Sequence, residues 1–186
     1  MSVLLTGRNP IKVITTKTET KTITAYPSAY DSSDYSYASI SNATNPVGKD
    51  SSNTTYATIN LNTGSGAETY VYFPFDFSSI PENATIDSIS CTAKGNISDK
   101  SSRISMRQMQ LFTGTTAKGS SVNLLVSATV NTLTCGTWTR AELQNCRLRM
   151  YAMRGTSSTS TSVNMGFYGA EVTVTYTYTY EEEVWV

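Results

Sequence analysis

Residues 69–90 read TYVYFPFDFSSIPENATIDSIS. Val71, Phe73, Phe75 and Phe77 share one phase of a period-two alternation, with Tyr70, Tyr72 and Asp76 on the other, which is the pattern of a half-buried strand. Ile80-Pro81 turns the chain. Ala84 and Ile86 then open a second strand, which continues as Ile89, Cys91, Ala93 and Ile97 against Ser88, Ser90, Thr92 and Lys94. Pro74 lacks a ladder donor, so an edge or a bulge is expected beside it.

The same alternation recurs outward in both directions. Ala57, Ile59 and Leu61 share a face, and Val122, Leu124, Val126, Ala128 and Val130 read as one further strand. Two segments change phase midway. In RISMRQMQLF the apolar set passes from Ile104 and Met106 to Met109 and Leu111. In SVNMGFYGAEVTV it passes from Val163, Met165 and Phe167 to Tyr168, Ala170 and Val172, with Gly166 and Gly169 at the break. A one-residue slip exchanges the two faces of a strand, so each break predicts a β-bulge. One stretch reads as a short helix: in TWTRAELQN, Thr139 and Glu142 form the S/T-x-x-E capping box, with Trp138 expected as a plug over one end of the core. Residues 26–55 are rich in Ser, Asn, Asp, Pro and Gly and read as loop crossed by one strand near YSYASI. About eight strands with one short helix can bury their apolar faces only against each other. The expected fold is all-β, a β-sandwich, with the jelly-roll layout favoured by strand count.

The 186 residues carry a formal net charge of +0 and no histidine. The charge balance points away from nucleic acid and anionic membrane surfaces as partners. Without His there is no Ser-His-Asp or Cys-His nucleophile and none of the commonest transition-metal ligand. No phosphate-cradling GxxxxGK[ST] or GxGxxG occurs. Asp76, Asp87, Glu68 and Glu142 are carboxylates with no sequence feature pairing them, so the chain reads as a non-enzyme without metal or cofactor. Asp31, Asp34 and Asp50 offer oxygen ligands but read as turn formers. Three cysteines (Cys91, Cys135 and Cys146) do not make a disulfide framework. Cys91 reads as core, and a Cys135–Cys146 bridge is left open. No run of apolar residues reaches membrane-span length, and the start lacks a secretory n-region, so synthesis in a cytoplasm without a signal peptide is expected.

FDFSSIPENATIDSIS, AYPSAYDSSDYSYASI, TWTRAELQNCRLRMYA and the closing GAEVTVTYTY together resemble the jelly-roll accessory virion proteins of tailed bacteriophages: capsid decorations, head fibres and tail adhesion modules. The resemblance spans residues 26–180 and carries no catalytic residues over. It implies a structural and attachment protein of the virion surface, with capsid or tail subunits as partners. A carbohydrate-binding module recognising host envelope glycans is the alternative.

Candidate contact residues fall in three groups. The first is the two ends, which are opposite in charge: residues 1–25 are net +3 and residues 171–186 net −4. ITTKTETKTIT alternates like a strand with a Thr and Lys face. Residues 1–25 therefore read as an attachment arm that pairs with the C-terminal strand or with a neighbour in an oligomer, with Lys12, Lys17 and Lys21 as docking residues. In AEVTVTYTYTYEEEVWV, Val172, Val174 and Tyr176 read as the core face of the last strand of a 26–180 sandwich. Glu181–Glu183 are expected to stop that strand. Val184, Trp185 and Val186 form a tail, 181–186, whose apolar tip is a docking plug. The second group is a net +7 over residues 94–154. Arg147 and Arg149 alternate with Leu148 and Met150 and face outward. If Arg103 and Arg107 meet them across a sheet, the result is an anion-binding face; the simpler reading is solvated charge. The third is Tyr35 and Tyr37, with Tyr26, Tyr30 and Tyr56, read equally as glycan-binding aromatics or as seals on the ends of the sandwich.

Overall fold

The computed structural model describes residues 11–99, 103–156 and 162–185, without the side chains of residues 32–35. Eleven strands and one helical turn follow each other: β1 (Lys12–Ala25), β2 (Asp31–Ser36), β3 (Ser39–Ser41), β4 (Ala57–Asn60), β5 (Glu68–Pro74), β6 (Thr85–Ile97), β7 (Ile104–Thr113), β8 (Thr116–Asn123), β9 (Thr129–Leu133), α1 (Arg140–Leu143), β10 (Cys146–Arg154) and β11 (Asn164–Trp185). One sheet has the order β3-β4-β11-β6-β9, with β1 also on β11; the other is β2-β5-β10-β7-β8.

The pairs β4·β11, β5·β10, β6·β9 and β7·β8 are antiparallel and nested, and they alternate between the two sheets. This is one long hairpin closed by the β7–β8 turn and rolled up. β11·β6 and β10·β7 knit the roll together. The layout is a jelly roll, and its inner faces are those the alternation predicts: Ala57, Ile59, Val71, Phe73, Cys91, Ala93, Leu148, Met150 and Val172 are all buried. Phe73 of β5 and Phe167 of β11 join the two sheets with ring centroids 4.2 Å apart. The Pro74 carbonyl accepts from the Ser28 amide (2.8 Å), so the missing Pro74 donor faces the irregular β2 flank.

The phase break in β11 is a bulge at Tyr168, where pairing with β6 skips from Phe167 to Gly169. A second, at Asp87, restores Ile86 to the core side opposite Tyr176. In β7 the irregularity lies at Ser105, not between Met106 and Met109: Ile104 is buried and Met106 points outward. Residues 122–130 are not one strand. The Leu124 amide bonds the Arg107 carbonyl, and the Leu125 carbonyl accepts from the Ile97 amide, so the chain crosses between the sheets there. Leu124 is buried, whereas Val126 and Val130 are exposed.

The YSYASI stretch is split between β2 and β3, which belong to different sheets. The loop after β3 lies along the outer face of β6 and β11. Asn53 Nδ2 donates to the Asn45, Thr55 and Tyr168 carbonyls, and the Ala170 amide bonds the Lys49 carbonyl in the gap between β4 and β1. The capping box forms as read. Trp138 is buried, with Nε1 donating to the Cys135 carbonyl at 2.6 Å. All three cysteines are free and buried, so the Cys135–Cys146 bridge does not form. Burial pushes the Cys135 thiol up to about 11 and raises Cys91 and Cys146 as well.

Candidate docking surface

β11 runs for 22 residues, about 75 Å of extended chain. β6 accompanies it only as far as Thr177, opposite Thr85. β1 pairs with it residue by residue from Val172–Ala25 to Trp185–Lys12. Residues 178–185 and 12–19 therefore form a two-stranded ribbon with no further described strand beside it, about 27 Å beyond the end of β6. Val, Ile, Thr and Tyr favour strands, and these fill most of the ribbon. One face of the β1–β11 pair carries a threonine ladder that leads up to the ribbon: Thr24–Thr173, Thr22–Thr175 and Thr20–Thr177 hydroxyls meet at 2.9, 3.1 and 2.8 Å. Cross-strand pairs of this kind contribute about 0.2–1 kcal/mol each.

The other face prolongs the inner face of the sandwich. Tyr176, Tyr178 and Tyr180 stand in a row, with centroids 6.0 and 5.8 Å apart. Tyr178 donates to Glu19 Oε2 (2.5 Å) and accepts from Lys21 Nζ (2.9 Å), while Lys21 and Glu19 pair at 3.1 Å. The Tyr178 hydroxyl, then Lys21, hold the Glu19 carboxyl below its ordinary range; the same hydroxyl, then Glu19, raise Lys21.

The three glutamates do not end the strand. Glu182 and Glu183 are met from β1 by Lys17 (3.5 Å) and Lys12 (2.6 Å), which removes the repulsion expected to stop it. The predicted arm thus finds its partner in its own chain. Of the docking residues read from sequence, Lys12, Lys17 and Lys21 are engaged in these internal pairs, whereas Trp185 is 63% exposed at the ribbon's end. Val184 is half-buried opposite Val13, and Val186 lies outside the described residues. Ile11, Val13, Ile14 and Tyr180 add exposed apolar surface at the same end. Their signal in the sequence was faint, because Val13 and Ile14 fall on opposite faces of a strand dominated by Thr and Lys.

The four arginines do not assemble. Arg147 and Arg149 share the outer face of β10, but their partners on β7 are Phe112 and Gln110. Arg147 lies over the Tyr72 ring at 3.7 Å and pairs with Asp31 at 3.0 Å. Arg149 lies over Phe112 and Tyr151 at 4.2 and 4.7 Å. They roof aromatic rings that are themselves buried on an outer face. Arg107 falls on the opposite phase, across from Ala152, and donates to the Leu124 and Ile104 carbonyls. Arg103 precedes β7 and is exposed.

Arg154, counted in the sequence only as charge, is fully buried and donates to the Asn62 carbonyl at 2.6 Å. Its phase, continuing Leu148, Met150 and Ala152, was the available signal. Tyr37 and Tyr30 are half-buried against the core, and the Tyr35 side chain lies outside the described residues. The carboxylates stay apart: Asp76 caps its own turn through the Ser78 amide, Asp87 accepts from Thr177, and Glu142 pairs with Lys118. Among the described residues no cluster of three Cys, Asp or Glu has metal-binding geometry.

Comparison with protein-family models, with curated proteins and with solved structures finds no match to this chain.

Proposed function

We propose that this chain is a non-enzymatic structural and attachment protein of a tailed-phage virion, displayed on the particle surface and docked through the β1–β11 ribbon. The observation that carries this reading is the ribbon itself. A two-stranded ribbon is marginal in water when nothing covers it, and open strand edges invite pairing with another chain. Here such a ribbon ends in Ile14, Val13 and Trp185, apolar side chains that folding of the sandwich does not use. The natural occupant of an open edge with an apolar tip is a protein subunit, engaged by strand addition and apolar insertion. The resemblance to phage accessory jelly rolls supplies the kind of particle.

The test is immunogold labelling and sedimentation of particles released from cells that express the gene, with wild-type protein and an Ile14→Thr/Trp185→Thr variant. Wild type on the particles and the variant in the soluble fraction, with an unchanged circular-dichroism spectrum, is the expected result. Wild type absent from every particle fraction overturns the proposal.

Binding of host envelope glycans is the second reading, favoured by one feature. Tyr56, 42% exposed, stacks on Tyr168 at 4.6 Å beside a groove of about 120 Å³ lined by Asn96 and Asn164. Loss of host-cell binding in Tyr56→Ala is its expected result; no binding by the intact protein removes it.

A further inference from the structure

We propose that the occupant of the open β1 edge is β1 of a second copy of this chain, paired antiparallel about a two-fold axis through Thr18. The inference rests on the ribbon as the docking element and names its partner. The edge is prepared for pairing. The Thr179 carbonyl turns away from β1 to accept from Asn83 Nδ2 at 2.7 Å. Opposed antiparallel residues either exchange both hydrogen bonds or neither, so Thr18, opposite Thr179, also turns its amide and carbonyl outward. Alternate residues from Lys12 to Thr24 follow it, and no described strand takes their hydrogen bonds.

The side chains select the register. A two-fold pair of antiparallel strands sets each face against the same face of its mate. Centred on Thr18, Lys17 lies opposite Glu19 of the second copy and Glu19 opposite its Lys17. Val13 then lies opposite Ile23 and Ile23 opposite Val13, and every residue from Lys12 to Thr24 has a partner. Moving the axis one residue earlier sets Lys17 against Lys17. Moving it one later sets Glu19 against Glu19 and Lys17 against Lys21. Like charges directly opposite are destabilising. An axis through Thr20 pairs Lys21 with Glu19 but places Lys17 against Ile23 and shortens the overlap.

The Thr18 register also covers the inner-face part of each apolar tip and leaves Ile14 and Trp185 on the other face. Across the joined sheet, Val184 and Val13 line up with Ile23 and Val174 of the second copy, because Val184 is already opposite Val13 and Val174 opposite Ile23 within each chain. Beside the axis, Tyr178 and Glu19 line up with Lys17 and Tyr180 of the second copy. The two sandwiches then sit at opposite ends of a four-stranded bridge. The interface is isologous and closes as a dimer.

The full-length chain is measured by light scattering and sedimentation, with three variants. Wild type is expected at the mass of two chains. Thr18→Pro removes an amide that faces outward, which an edge strand tolerates, and is expected at the mass of one chain with an unchanged circular-dichroism spectrum. Thr18→Cys is expected to form a disulfide-linked dimer on mild oxidation, since directly opposed residues lie within disulfide reach. Thr20→Cys is expected not to, because its own mate lies about 14 Å away in this register. A wild-type chain that stays single, or Thr20→Cys cross-linking as readily as Thr18→Cys, overturns the proposal. A single-chain protein that still sediments with particles overturns the dimer alone and leaves the attachment reading standing.

Discussion

Replacing Arg149 separates a structural roof from a ligand-reading cation. The Arg149 guanidinium covers Phe112 and Tyr151 at 4.2 and 4.7 Å, and its Nε is buried with no hydrogen-bond partner. Arg149→Ala forfeits both ring contacts, about 1 kcal/mol each at partly desolvated sites. It also uncovers the two rings, about 2–3 kcal/mol more for the apolar stem removed. Like any variant without the guanidinium, it relieves the unpaired buried N–H by about 1–3 kcal/mol, for a net loss of about 2–3 kcal/mol. Arg149→Met keeps an unbranched apolar stem over the rings. It loses the same cation–π attraction but relieves the unpaired buried N–H, which costs about 1–3 kcal/mol, so its net change is expected within about 1 kcal/mol. In urea unfolding followed by tryptophan fluorescence, a slope of about 2 kcal/mol/M puts the Arg149→Ala midpoint about 1–1.5 M below wild type. Arg149→Met is expected within about 0.5 M. Equal falls for the two variants, or no fall for Arg149→Ala, would refute the roof.

Gly169→Ala is expected to be costly, because the added Cβ would stand 2.2 Å from the Asp50 carbonyl oxygen and 2.6 Å from that of Lys49. Overpacking and loss of the Ala170–Lys49 hydrogen bond together amount to about 3 kcal/mol, a fall of about 10 °C in Tm by calorimetry; a fall under about 3 °C contradicts the close approach. The Glu142 carboxyl is held below its ordinary 4.5, first by its hydrogen bond with Lys118 and then by the Thr139 amide. A depressed folded-state value means stability that is present above pH 4.5 and lost as pH falls through the lower folded value. Glu142→Gln should therefore flatten the acid limb of a Tm-against-pH curve, and unchanged acid sensitivity would discount the pair. The thiols of Cys91, Cys135 and Cys146 are buried and unbridged. They are expected to be silent to a thiol reagent at pH 8 in the native protein, with three reacting in denaturant without reductant; one reacting would reveal a bridge.

Much of the architecture was legible because a strand's period of two writes burial directly into the chain. Val71, Phe73, Phe75 and Phe77 needed no neighbour to declare their face, and neither did Val172, Val174 and Tyr176. Thr139 and Glu142 marked the helical turn because a capping box is local. Bulges were readable where the apolar set changed phase, as at Tyr168. They were missed where a short run hid the change, as between Ile86 and Ile89. Val122–Val130 misled because alternation persists through a crossing that only the bonds of Leu124 and Leu125 reveal.

The β1–β11 ribbon was half legible. Opposite charges at the two ends singled out the two segments that pair. Whether Glu181–Glu183 would stop a strand depended on what lay opposite, and Lys12 and Lys17 arrive there from about 165 residues away. The arginines show the same limit: alternation placed Arg147 and Arg149 outward, yet only sheet order decided that they would meet Phe112 and Tyr72 instead of Arg103 and Arg107. By itself, then, the sequence determined which faces are apolar, where the chain turns, and hence the sandwich, since these depend on neighbours in the chain. The tertiary structure alone decided which strand lies beside which, and so which charges are neutralised, which rings are covered and which edge stays open, because those partners are brought together only by the roll of the sheet.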